Sequence, residues 1–343
     1  MEIRSAEGAV GTEIARTESK NAAARVFLGE LRDGYPSCIR QGCEFTGVTK
    51  NLKWGDHVVV KPNLTFPVYR KGVMTNPDAV KAVVEHFRDF TNRITICESD
   101  SGGYNRFSMD EVFRVTGIAD MANRYGISVT NLTNCAARPI TIRASWRTLS
   151  IPIPTLLLDD TDLFITMPVP KVHANTVVSL SVKNQWGIIQ DPALRLKLHP
   201  YFKHVVYGIN KALPSSISIM DGKYGLDRNG PMRGDAVDLN WLLVADNIFV
   251  ADFIALKLVG VDYGTVPYLK HIFKKEGIDL LDCVVMNTDY RPFRKGPFSL
   301  RRELTDYPGL LTFSSRLLAY IGYESPLAKP LHWLLYRFRE PFY

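Results

Sequence analysis

Three short strand-like runs, separated by stretches with helical spacing, constrain this chain more than any other feature. Asp56–Asn63 carries Val58, Val59 and Val60 and is stopped by Pro62, which cannot donate to a sheet ladder. Arg93–Glu98 and Ile127–Leu132 are the second and third runs. Between the first two, Thr75-Asn-Pro77 reads as a helix start: Thr75 or Asn76 caps, and Pro77 fits the first turn. Ala79, Val80, Ala82, Val83, His86 and Phe87 continue it at helical spacing. Asp110–Val115 and Ile118–Tyr125 read as helices parted by Gly117. This succession is a βαβ pattern. It predicts an α/β fold: a parallel or mixed sheet with flanking helices.

The stretch Leu163–Gly187 supplies the chemistry. Leu163–Met167 is an apolar run that reads as a buried strand, and Pro168 and Pro170 stop it. Lys171, His173, Asn175 and Thr176 follow at once, then Ser179, Ser181, Lys183 and Asn184. Ligands of open α/β sheets bind beyond the carboxyl ends of the strands, so these residues and Lys61 and Asn63 are the candidate site. The helix start at Thr75 and Asn76 is a further anion seat.

Elsewhere, Ala22–Leu31 reads as a helix closed by Asp33-Gly34-Tyr35-Pro36, after a polar stretch over residues 1 to about 24. Residues 135–158 suggest strands with proline-rich turns, and Leu194–Tyr207 a helix or loop. Ser216–Gly222 is a strand, Gly225–Gly234 a loop, and Leu242–Ala245 a short strand. Ile248–Val259 is a helix closed by Gly260, and Ile278–Asn287 is a late strand. From about Leu300 the chain turns rich in Leu, Phe, Tyr, Trp and Arg, with Leu310–Tyr320 and Leu331–Phe338 as amphipathic segments. The expected organisation is an N-terminal segment (1–50), a main α/β domain (51–290) and a helical C-terminal extension (291–343). The extension either packs on the domain or meets a membrane surface or protein partner through residues 300–343.

A net charge of +7 favours anionic partners. No Lys/Arg block or aromatic-glycine motif appears, which sets nucleic acid aside. The five cysteines are odd in number and widely spaced, arguing against a disulfide framework and for a reducing compartment. The chain has no iron-sulfur motif of its own. The N-terminus shows no apolar signal segment, and no stretch reaches about 18 uninterrupted apolar residues. A cytoplasmic location is the expectation. No Gly-x-Gly-x-x-Gly, Walker or Gly-x-Ser-x-Gly motif is present, which disfavours ordinary dinucleotide, P-loop and serine-hydrolase chemistry.

Lys61, Lys171 and Lys183 are therefore read as holding an anion, with His173 transferring a proton. Lys183 sits in an apolar, small-polar run. Burial there would lower its pKa and make it a base, nucleophile or anchor; on a half-exposed strand it would snorkel instead. Asn63, Thr75, Asn76, Asn175, Thr176, Ser181 and Asn184 are candidate substrate donors. Asp221 is the carboxylate assigned to acid–base work, and with Glu98 it could hold a divalent metal; its bland reading is an Asp-Gly turn. Asp252 reads as a structural partner of a site lysine or of backbone amides. His199 and His204 lack zinc-site spacing.

Lys61-Pro-Asn63, Thr75-Asn-Pro77, Glu98-Ser99, Pro168 with Lys171 and His173, Lys183-Asn184 with Gly187, Asp221-Gly222, and Gly230-Pro231 with Gly234 occur in this order. The series resembles the bacterial and archaeal family called domain of unknown function 362, over about residues 55–270. The resemblance implies an α/β domain and no settled reaction. Some members carry ferredoxin-type cysteine motifs, which this chain lacks. A more distant resemblance, of layout only, is to the nickel-pincer lactate racemase family. There a lysine tethers the cofactor and histidines handle the substrate; Lys183 and His173 stand in comparable places, and the cofactor is not carried over. The expected function is an enzyme acting on a phosphorylated or carboxylated small molecule. The alternative is a non-catalytic cofactor-binding or redox accessory protein that docks through its C-terminal tail.

Overall fold

The computed structural model describes residues 23–101, 108–214, 216–278, 284–335 and 337–338. Most of the polar N-terminal stretch, Gly102, Gly103 and residues 279–283 of the expected late strand lie outside them. In chain order the first elements are β1 (Ala24–Glu30), α1 (Gly34–Thr46), β2 (His57–Pro62), α2 (Pro77–Phe87), β3 (Arg93–Glu98), α3 (Met109–Val115), α4 (Ile118–Tyr125) and β4 (Ser128–Asn131). A hairpin of β5 (Ala137–Ala144) and β6 (Arg147–Pro154) leads through α5 (Thr155–Asp159) to β7 (Leu163–Met167). Then come β8 (Lys171–His173), β9 (Val177–Ser179), α6 (Ser181–Asn184), α7 (Pro192–Leu198), α8 (Phe202–Ala212), β10 (Ser216–Asp227) and β11 (Asp235–Ala245). The chain closes with α9 (Ile248–Val259), α10 (Pro267–Glu276), β12 (Val284–Met286), α11 (Tyr307–Thr312), α12 (Arg316–Tyr323) and α13 (Ala328–Leu335).

The main sheet runs β12-β1-β11-β10-β7-β2-β3-β4, with β8 joined to β10 and β9. From β10 to β4 the neighbours are parallel; β11 runs antiparallel to both β10 and β1. The sheet is mixed, and helices cover both faces. Alternation along the strands explains this. Val58 and Val60 join one apolar core with residues of α1, α2 and α3. Val59 joins the other, with residues of α6, α8, α9 and α10. A β-strand buried on both sides reads as an unbroken apolar run, as β2 and β7 do.

The caps form as their residues predict. The Asn76 side chain accepts from Asp78 N at 2.9 Å at the start of α2, with Pro77 in the first turn. Asn247 caps α9, and Gly260 ends it at φ 67°.

Ala24–Glu30 is a strand, not the helix its alanine-rich lead suggested. Val26 and Leu28 enter one core and Phe27 the other, a two-residue alternation that pairing with β11 and β12 rewards. β1 and α1 precede the expected boundary at residue 50, yet they build the sheet and its covering layer. β10 runs on to Asp227, into the expected loop, and Leu242–Ala245 is only the end of an eleven-residue strand. Each arm of that hairpin continues because the other satisfies its backbone groups. Among the described residues the tail forms three short α-helices, and no described helix is long and apolar enough to cross a membrane.

Candidate active site

After β4 the chain returns to lay β7 on the far side of β2, so the connections diverge around the carboxyl end of β2. Such a switch point leaves a crevice between the strand ends. β2 delivers Lys61 there and β3 delivers Glu98, and Lys61 Nζ lies 2.7 Å from Glu98 Oε2. Both side chains are buried. The other carboxylate oxygen accepts from Ser99 N at 3.0 Å. Gly187 lies directly over the pair, and the Ser99 hydroxyl donates to its carbonyl. A Cβ at Gly187 would stand 2.8 Å from Glu98 Oε1 and 3.1 Å from Lys61 Nζ, so only glycine lets the backbone approach.

Asn184 ties the strand ends together, its amide nitrogen donating to Lys61 O at 3.2 Å and Thr166 Oγ1 at 2.8 Å. Asp252 on α9 holds the start of α6 by accepting from Ser181 N at 2.7 Å and Val182 N at 3.0 Å. Burial pushes the Asp252 carboxyl up to about 7 despite those bonds. The backbone amides are thus its partners, one of the two roles expected of it.

Beside the ion pair gathers a set of basic groups. Lys171 is buried on β8 and donates from Nζ to Val73 O at 2.8 Å. Burial lowers its pKa to about 7, with the Lys183 and Lys61 charges adding to the shift and Glu98 opposing it. Lys183 on α6 keeps some solvent contact, yet desolvation, then Arg195 and Lys61, lowers it to about 7 as well. Arg195 on α7 is 7% exposed and is lowered to about 10 by burial. One of its amino groups donates to Asp100 O, while its Nε has no acceptor among the described protein atoms. Three carboxylates among the described residues act on these cations, exposed Asp191 at the start of α7 through Arg195 alone. Glu98 is held by Lys61, and half-buried Asp100 accepts from Met109 N at 2.6 Å and Asn131 Nδ2 at 3.0 Å. Positive charge is in excess.

Two histidines complete the cluster. His173 is pushed well below its ordinary pKa by burial, then by Lys183 and Lys171. Its Nδ1 accepts from Asn175 N at 3.1 Å, so the neutral ring carries its proton on Nε2, as assigned from this bond. His199 is lowered to about 4 by burial and Lys183. Its Nδ1 lies 2.8 Å from Arg195 O and therefore donates, leaving Nε2 as the acceptor. The cluster thus offers ammonium groups that titrate near neutrality, a neutral N–H donor and a neutral imidazole acceptor.

Other residues singled out in the sequence hydrogen-bond to neighbouring strands and loops. Asn63 donates from its backbone to Thr75 Oγ1 and from its amide to Val73 O. Thr75 donates onward to Met167 O, and Thr176 to Val178 O. The Ser181 hydroxyl pairs with Ser218 Oγ at 2.8 Å. Asp221 accepts from Tyr35 Oη at 2.8 Å, Asn76 N at 2.8 Å and Lys223 N at 3.1 Å. Glu98 and Asp221 are therefore engaged separately. Among the described residues no group of three His, Cys, Asp or Glu side chains is arranged to hold a metal ion.

Sequence reasoning passed over Arg195 and Arg302. Arg195 stands four residues before His199 on a capped helix, a spacing that places both on one face and could have flagged it. Arg302 reaches back from the tail to donate to Ala174 O at 2.8 Å, and no local signal marks it.

The family model described as domain of unknown function (DUF362) matches residues 58–257. A thylakoid-associated protein of Synechocystis sp. is 25% identical over 229 residues, covering 64% of this chain and 68% of that protein. The lactate racemase apoprotein from Thermoanaerobacterium thermosaccharolyticum superposes with a TM-score of 0.41 at 13% identity, over 68% of this chain and 57% of that one. A protein from Thermotoga maritima superposes with a TM-score of 0.32 at 15% identity, over 54% of this chain and 50% of that one. The chain thus spans about half the length of these solved structures.

Proposed function

This chain belongs to the domain of unknown function 362 family, and we propose that it is an enzyme acting on a phosphorylated or carboxylated small molecule at the Lys171–Lys183–His173 cluster. The observation that carries this reading is the excess of buried positive charge. Glu98 balances Lys61, while Lys171 and Lys183 are left near their titration point beside Arg195. A cluster of unbalanced cations is stabilised by an anion, and ligand anions bind where such groups converge.

Each group has a role in this reading. Lys171, Lys183 and Arg195 bind the anionic oxygens. The His173 Nε2–H donates to the substrate, since Nδ1 is occupied by Asn175 N. Lys183, with a pKa of about 7 before the anion arrives, takes or gives the proton. Lys61, Asn63, Thr75, Asn76, Thr176, Ser181, Asn184 and Asp221 shape the site and hold the strand ends in place. The same cluster in a non-catalytic carrier would bind the anion equally well, and the titratable lysine is what favours catalysis.

The test is calorimetric titration with inorganic phosphate, pyrophosphate and malonate. Binding is expected to weaken as pH rises through about 7, because the unliganded ammonium groups lose their charge there. Lys183→Met should weaken it roughly tenfold or more. Lys183→Arg should restore binding, and in a cell-based assay of function it should stay inactive because guanidinium holds its proton. If none of the anions binds, or if Lys183→Met binds like the native protein, the reading is wrong. If Lys183→Arg is active in cells, the catalytic role fails and the carrier stands.

A further inference from the structure

Among the described residues, ten of the fifteen exposed large apolar side chains lie between Leu304 and Phe338, so exposure is concentrated in the tail. Leu331 and Leu334 stand on α13, and Leu327 and Phe338 extend the same i, i+4, i+7, i+11 spacing on either side. A stripe at that spacing normally faces a core. Here it faces out: Leu327 is 59% and Phe338 76% exposed, with Trp333 beside them at 61%.

The inner side of the tail is already used. Phe313 stacks on His199 with ring centroids 4.2 Å apart, and Tyr323 stacks on Phe313 at 5.5 Å. Ala319 and Ala328 are buried. The tail's described carboxylates are drawn toward the body. Glu324 meets Lys197 at 2.7 Å, Glu303 meets Arg233 at 3.6 Å, and Asp306 accepts from Asn229 Nδ2 at 2.9 Å. Arg316, Lys329 and Arg337 remain exposed among the apolar residues, Arg337 over the Trp333 ring at 4.6 Å. The outer side of the tail therefore combines leucine, tryptophan and net positive charge.

The β5–β6 hairpin carries a second aromatic–basic pair. Trp146 at its tip is 81% exposed, and the Arg147 guanidinium lies 4.3 Å from its ring and 5.9 Å from that of Tyr201.

We propose that helices α11–α13 are a monotopic docking surface for a lipid bilayer with anionic headgroups. Leu327, Leu331, Leu334 and Trp333 enter the headgroup–acyl boundary, while Arg316, Lys329 and Arg337 meet lipid phosphates. A protein groove would satisfy the apolar stripe alone; the basic residues interleaved with it, and a tryptophan with an apolar body and a polar tip, match the bilayer interface. The helices are too short to span, so the contact lies in the plane of the surface.

The experiment is co-sedimentation of the full chain with phosphatidylcholine vesicles and with mixed phosphatidylcholine–phosphatidylglycerol vesicles, beside light scattering in solution. A monomer that sediments with the mixed vesicles, less with phosphatidylcholine alone and less at high salt, is the expected result. Leu331→Ser with Leu334→Ser should lower the partition coefficient roughly tenfold or more. Arg316→Glu with Lys329→Glu should abolish the preference for phosphatidylglycerol. Because these side chains are exposed, native circular dichroism is expected in both variants. Absence of sedimentation with either vesicle, or equal binding by the leucine variant, would overturn the proposal. So would a solution dimer that the leucine variant turns into a monomer, which would assign the stripe to a second copy of the chain.

Discussion

Lys61 and Glu98, at the ends of two adjacent parallel strands, form an ion pair with Nζ 2.7 Å from Oε2, and both side chains are almost wholly buried. Removing one partner of such a pair strands the other charge in a poorly solvated place. Lys61→Met should therefore destabilise the fold by about 3–5 kcal/mol in urea unfolding. Lys61→Met with Glu98→Gln should recover much of the loss. Additive losses in the double variant would show that the pair is not coupled.

The lysines beside this pair make stability depend on pH. The folded-state pKa of Lys171 and of Lys183 is lowered to about 7, against 10.5 for an ordinary lysine. Below about pH 7 both are charged in the folded and unfolded chain, and the cost of burying the charges is felt in full. Between about pH 7 and pH 9 the unfolded chain holds more protons, so stability rises with pH. Asp252, raised to about 7, acts in the opposite sense, and its effect is largely complete early in this window. At higher pH the buried thiols of Cys43 and Cys97, whose pKa values are raised, turn the slope down. Thermal unfolding across the window should show the rise, and Lys171→Met with Lys183→Met should flatten it. An unchanged slope in the double variant would remove the lysines as its source.

Gly187 closes over the ion pair at a distance no side chain tolerates. Gly187→Ala brings a Cβ to 2.8 Å from Glu98 Oε1 and 3.1 Å from Lys61 Nζ. Overpacking of this kind costs about 1–3 kcal/mol, and here it also displaces the Lys61–Glu98 geometry. The expected outcome is a lower urea midpoint together with weaker phosphate binding. Native stability with native binding would mean that the backbone yields without consequence.

Asp221 accepts from three donors, two of them backbone amides. In Asp221→Asn one acceptor oxygen becomes an amino group facing a donor. Stability should fall by about 1–3 kcal/mol, while phosphate affinity of the folded protein is retained. Tyr35→Phe, which removes a single hydroxyl donor, should cost about 1 kcal/mol. Loss of phosphate binding in Asp221→Asn at unchanged stability would place the carboxylate at the ligand instead.

Much of this was legible in the chain itself. Val58–Val60 stopped by Pro62, the Asn76-Pro77 helix start and Leu163–Met167 stopped by Pro168 are local signals. Backbone restriction and side-chain periodicity act over a few residues, so they can be read without knowing what lies across the sheet. The position of Lys171, His173 and Lys183 just past a strand end follows from the same signals. β1 was misread because Ala24–Glu30 can adopt either period, and only its pairing with β11 and β12 chooses.

Charge balance lay beyond local reading. Lys61, Lys171 and Lys183 all stand near strand ends, yet among the described residues Lys61 alone of the three pairs with a buried carboxylate, 37 residues away. Asn63, Thr75 and Asp221 carry the same functional groups as ligand-binding residues, and in the fold they join strand ends and hold the residue that caps α2. The sequence by itself determined the parallel strands, their stops and the supply of basic residues at their ends, because these depend on neighbours along the chain. Which of those residues are neutralised, and which keep an unbalanced charge, was decided by the tertiary structure. Solvation and Coulomb energy depend on groups that only folding brings together.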